Sequence, residues 1–146
     1  MADIPEEHLT EELLDRLPAS ASIEQYLDEG LVSARTLTDY LFDRMEAHGL
    51  KRADVVRASG LNATVVYDIF SGKSRPGRDH AIMLAFGLKC TLRETQRLLR
   101  LAGVSELWCK QRRDAIIIWC IRNGFDRIAT DDELYRMGEA TLLPAD

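Results

Sequence analysis

Between Gly49 and Pro76 the chain reads GLKRADVVRASGLNATVVYDIFSGKSRP. This stretch predicts two short helices joined by a tight turn. The first runs from about Arg52 to Ala58, and Ser59-Gly60-Leu61 form the turn. Gly60 stands where such a turn needs a residue that accepts a left-handed backbone. Asn62 is a good N-cap, because its short side chain accepts a hydrogen bond from an otherwise unpartnered amide. The second helix then runs to about Phe70, ends at Ser71-Gly72 and is kept from resuming early by Pro76. In this arrangement Val55, Val56, Leu61, Val66 and Ile69 are the side chains to bury.

Helical punctuation continues on both sides. Residues 6–17 predict a short helix ended by Pro18, and Ser22 with Gln25 forms a capping box for another, which stops at Gly30. Thr36 or Thr38 caps the next, which runs to about His48 with Leu37, Leu41 and Met45 on one face and Gly49 as its stop. After Pro76, a helix from about Arg78 to Leu88 turns Ala81, Leu84, Ala85 and Leu88 inward. Thr91 and Glu94 box a further helix with Leu92, Leu98, Leu99 and Ala102 as its apolar stripe. Residues 105–122 predict one long helix, ended by Asn123-Gly124, on which Trp108 and Trp119 share a face. Thr130 and Glu133 box a last helix through Leu134, Tyr135 and Met137. No alternating strand pattern competes, so the predicted class is all-α.

The 146 residues suit one domain with a single core. Residues 1–30 are acidic and lack the basic start and apolar run of a secretory signal. The longest apolar stretch, Ala115 to Ile121, is too short to span a bilayer. Cys90, Cys109 and Cys120 form no zinc or disulfide pattern, which suits a reducing cytoplasm and three small core side chains. Gly72-Lys73-Ser74 is not a P-loop, since position 67 is Tyr and Pro76 interrupts any following helix. His8, His48 and His80 stand apart, and Asp131, Asp132 and Glu133 fit a helix N-terminus better than a metal site. Charge is uneven. Residues 1–48 hold three basic and twelve acidic side chains, a net −9, whereas residues 49–100 hold ten and four, a net +6. The total of −5 therefore conceals a basic middle able to hold phosphate.

Residues 36–102 resemble the Xre family, the helix-turn-helix of lambda-type phage repressors, through Gly49-Leu50, Val55-Val56, Gly60-Leu61, Val66, Ile69, Gly72-Lys73 and Pro76. A subgroup of small bacterial regulators is similar over a YxIFxGxxxPxRD segment, here Tyr67 to Asp79, and an ETQRLLxLAG helix, here Glu94 to Gly103. The likeness extends through RRDAII at Arg112 to Ile117 and an ELxxxxGE helix at Glu133 to Glu139. It implies a five-helix lambda-repressor-like domain at 36–103. An acidic helical extension precedes it at 1–35. A helical extension at 104–146 follows, packed on the domain or on a dimer partner. It also implies transcriptional control through double-stranded DNA as a homodimer, with no catalysis and no cofactor.

In that geometry Asn62, Ala63, Thr64, Tyr67 and Asp68 face base edges. Thr64 and Ala63 suit a thymine methyl, Asn62 suits adenine if it is not consumed as a cap, and Asp68 suits cytosine N4. The chain departs from the family at Ala63 and Asp68, where a basic residue and a glutamine are usual. Lys51, Arg52, Lys73, Ser74, Arg75 and Arg78 are the expected phosphate contacts. A second reading is a protein-interaction module that kept the fold and lost base readout. Two further expectations are dimerisation through apolar tail residues such as Ile116 and Trp119, and tuning of DNA affinity by the acidic residues 1–30.

Overall fold

In the structure, a computed structural model that describes Ser22, Ile23 and residues 36–144, five helices open under a side chain that accepts from a free backbone amide: Thr36, Asn62, Thr91, Gln111 and Asp126. Among the described residues there are seven helices and no strand. The chain divides into two units, 1–35 and 36–146, and all seven helices lie in the second. The expected helix over 6–17 lies outside the described residues, as does most of the one opened by Ser22.

Helix α1 (Leu37–Ala47) opens with a capping box in which Thr36 accepts from the Asp39 amide and Asp39 accepts from that of Thr36. Helix α2 (Arg52–Ser59) and helix α3 (Ala63–Phe70) are joined by Gly60, Leu61 and Asn62. Helix α4 (Arg78–Gly87) is buried along the whole run Ala81–Ala85. A helix apolar on all sides must lie inside a core, and α4 packs against α2, against helix α5 (Leu92–Leu101) and against helix α7 (Arg127–Arg136). Helix α6 (Arg112–Arg122) packs against α5 and α7. The core joins Leu41, Val55, Ile69 and Phe70 to Leu84, Leu88, Leu98 and Leu99, and extends to Ile117 and Leu134 of α6 and α7. No helix among the described residues is long and apolar enough to cross a membrane.

Glu94 ties α1 to α5. Its carboxylate accepts from the Thr91 amide at 2.9 Å, from Arg44 and from His48 at 3.2 Å. Burial alone would raise its pKa, but these donors outweigh it and hold the carboxyl below its ordinary value. Tyr40 lies beside it, buried, with its phenol pushed up to about 12 chiefly by burial.

Several expectations are corrected. The helix over 105–122 begins only at Arg112, because side chains capture the backbone of the preceding residues. Arg78 donates to the carbonyls of Ser105 and Glu106, Gln96 bonds both the amide and the carbonyl of Leu107, and Asp114 accepts from the Trp108 amide. Trp108 therefore shares no helix face with Trp119, and Cys109, in the same non-helical stretch, is exposed rather than core. The final helix starts at Arg127 under an Asp126 cap, not at a Thr130–Glu133 box. The Thr130 hydroxyl instead donates to the Asp126 carbonyl inside the first turn. Asp131 is thereby interior to α7, where it accepts from Arg127 and from the amides of Leu142 and Leu143. Val56 is only partly buried, although Val55, Leu61, Val66 and Ile69 are fully so.

Candidate nucleic-acid interface

The turn between α2 and α3 is fixed by three local devices. Gly60 has φ +79°, a left-handed conformation that any Cβ disfavours. The Ser59 hydroxyl donates to the Val56 carbonyl and accepts from the Leu61 amide. Asn62 Oδ1 accepts from the Val65 amide at 3.2 Å and so caps α3. Arg127 closes over this turn. A Cβ built on Gly60 would lie 2.6 Å from Arg127 Nε, so the start of α7 touches the bend itself.

Helix α3 turns Val66, Ile69 and Phe70 into the core, where Phe70 meets the Phe42 ring edge-on at 5.2 Å. Its other face carries Asn62, Ala63, Thr64 and Tyr67 exposed, with Asp68 half-buried. Because Asn62 Oδ1 is committed to the cap, a bidentate grip on adenine is closed to it while the cap holds.

Two sets of cations are attached to this face at consecutive residues. The Arg52 guanidinium lies over the Tyr67 ring, 5.1 Å from its centroid, which links the start of α2 to α3. The Asp68 carbonyl accepts from the amides of Lys73 at 2.9 Å and Ser74 at 3.2 Å, which folds the following loop back onto α3. Lys51, Arg52, Lys73, Ser74 and Arg75 are all exposed. Arg75 leaves this loop towards Gly103, with its guanidinium 3.8 Å from where a Cβ of Gly103 would stand.

Arg78 is not brought to this group. It donates to both carboxylate oxygens of buried Asp114, at 3.0 and 2.7 Å, as well as to the two carbonyls already named. The bonds to Asp114 raise the Arg78 pKa, and Asp114 is held low despite its burial because Arg78 and the Trp108 amide donate to it. Arg78 is thus a pin between α4, residues 105–108 and α6. The residues that sequence reasoning missed are Arg127, whose cover of Gly60 has no local signature, and the pairing of Arg52 with Tyr67, whose members were both singled out separately.

Among the described residues, no three His, Cys, Asp or Glu side chains converge as a metal site. Comparison of the chain with protein-family models, with curated proteins and with solved structures gives no match.

Proposed function

We propose that this chain is a DNA-binding transcriptional regulator of the Xre helix-turn-helix kind. Helices α1–α5 would form its lambda-repressor-like domain, and α3 would enter the major groove. The observation that carries this reading is an open α3 face with the Arg52 guanidinium stacked on Tyr67 and the backbone of the basic Lys73–Arg75 loop tied to the Asp68 carbonyl. Lys51, Arg52, Lys73 and Arg75 then take phosphates, with Ser74 as a neutral donor, and set the register of α3. Ala63 and Thr64 meet thymine methyls, and Tyr67 lies against bases or sugar with Arg52 behind it. Arg78 has no part in DNA contact, since Asp114 and two carbonyls occupy its donors. The regulator works as a cytoplasmic homodimer and needs no catalytic group.

Such a face reads few bases firmly. No arginine on α3 itself reaches for guanine, and Asp68 repels phosphate unless it accepts from cytosine. A protein-interaction role is favoured by one observation, the exposure of Trp108, Trp119 and Tyr135 at 61, 53 and 75 %.

Selection of bound sequences from random duplex DNA decides between these readings. The regulator yields a recurring motif whose enrichment Thr64→Ala and Tyr67→Ala reduce. Binding without any motif leaves phosphate contact alone, and no binding at all favours the interaction module.

A further inference from the structure

A cleft of about 570 Å³ opens where the end of α4, the link to α5 and the start of α7 meet. Its size falls within the usual range for small-molecule sites, roughly 300–1,000 Å³. Phe86, Ile121, Phe125 and Ile128 supply apolar wall, and Arg57, Lys89 and Arg127 supply cations. Cys90 adds to the neutral wall, its thiol pushed up to about 12 by burial.

Lys89 sets the character of the cleft. It has φ +56°, and among the described residues it is the one non-glycine residue in the left-handed region. The position follows the Leu88 C-cap of α4, a place usually given to glycine because any Cβ there is strained. The other two cations of the cleft are paired, Arg57 with Asp54 and Arg127 with Asp131, both at 2.7 Å. The Asp126 carboxylate caps α7, accepting from the Ala129 amide at 2.8 Å, and keeps its negative charge at the rim. No carboxylate among the described residues pairs with Lys89. Lys89 is thus the one cation of the cleft without a carboxylate partner among the described residues, and beside the apolar wall it suits a monoanion with an apolar body.

We propose that this cleft binds a small aryl- or alkyl-carboxylate, with its carboxylate on Lys89 and its body among Phe86, Ile121, Phe125 and Ile128. The site lies beside the α2–α3 turn through Arg127, which both lines the cleft and covers Gly60. Its existence does not depend on DNA binding.

Amide NMR titration of the full chain with 4-phenylbutyrate, and with neutral 4-phenylbutan-1-ol as its counterpart, tests the proposal. Saturable shifts are expected at Cys90 and Thr91 and from Phe125 to Ile128. The acid should bind about tenfold more tightly than the alcohol, the usual worth of one charge-assisted hydrogen bond. Lys89→Gly keeps the left-handed turn and removes the ammonium, so a failure to fold cannot account for its effect. It should abolish the tenfold difference and leave the alcohol's affinity unchanged. Ile128→Ser should weaken both compounds alike. The proposal is overturned if neither compound gives saturable shifts, if acid and alcohol bind equally to the native chain, or if Lys89→Gly leaves the difference intact.

Discussion

The cations around α3 and four arginines of the C-terminal helices are put to opposite uses. In the tail Arg112 pairs with Glu139, Arg113 with Asp79, Arg127 with Asp131 and Arg136 with Glu133. Around α3, Lys51, Lys73 and Arg75 stand exposed with no carboxylate partner among the described residues, and Arg52 rests on an aromatic ring. Arg78 belongs by sequence with the cations around α3 and by structure with the paired arginines of the tail. The difference teaches that a basic stretch is not one thing. Its cations divide into those that hold the fold together and those left facing solvent, and only the second group is available to an outside polyanion.

The strongest way to break this comparison is at Asp114. Replacing it by Ala leaves Arg78 without its main partner and the Trp108 amide without an acceptor. Breaking a buried pair in this way costs about 3 kcal/mol or more. Urea denaturation should show that loss, and a change below about 0.5 kcal/mol, the scale of an ordinary surface substitution, would move Arg78 back among the solvated cations. Next comes Gly60→Ala. The left-handed backbone alone costs about 1–2 kcal/mol, and Arg127 must also leave its place over the turn. Thermal unfolding should register the loss; no loss would mean that α7 does not brace the turn.

Acid provides a third test. Asp114 and Glu94 are both held below their ordinary values of 3.8 and 4.5. Their contribution is therefore fully present above those values and fades as pH falls through the lower folded pKa values. Denaturant midpoints should hold steady above about pH 5 and drop on acidification, and the drop should shrink in Asp114→Asn. The smallest effect is expected from Lys73→Ala and Arg75→Ala. Each should change stability by no more than about 0.5 kcal/mol, since neither takes part in an ion pair among the described residues. A larger loss would place them with the structural arginines of the tail.

What the sequence made legible was whatever is settled within a turn of chain. The Thr36 and Thr91 boxes, the left-handed Gly60 and the Asn62 cap all depend on partners two or three residues away. The α4 core positions followed from the same reasoning, since Ala81, Leu84, Ala85 and Leu88 are all buried. The misreadings have distant causes. Residues 105–111 look helical until Arg78, 27 residues before Ser105, and Gln96, 11 before Leu107, take their carbonyls. The Thr130–Glu133 pattern was a sound local signal beaten by an equally local one, the Asp126 cap four residues earlier. At the candidate interface, composition exposed the basic loop. It could not distinguish Arg75 from Arg78, because that depends on an aspartate 36 residues further along.

The central claim is that the exposed cations around α3 are set out for phosphates. It is tested most directly by the dependence of duplex-DNA affinity on salt. If Lys51, Arg52, Lys73 and Arg75 each neutralise one phosphate, log K should fall against log[NaCl] with a slope of about −3.6 per protomer. Combining Lys73→Ala with Arg75→Ala should reduce that slope by about 1.8 and leave the fold intact. A slope unchanged by the double substitution, or no binding to duplex DNA even at 50 mM salt, would contradict the account.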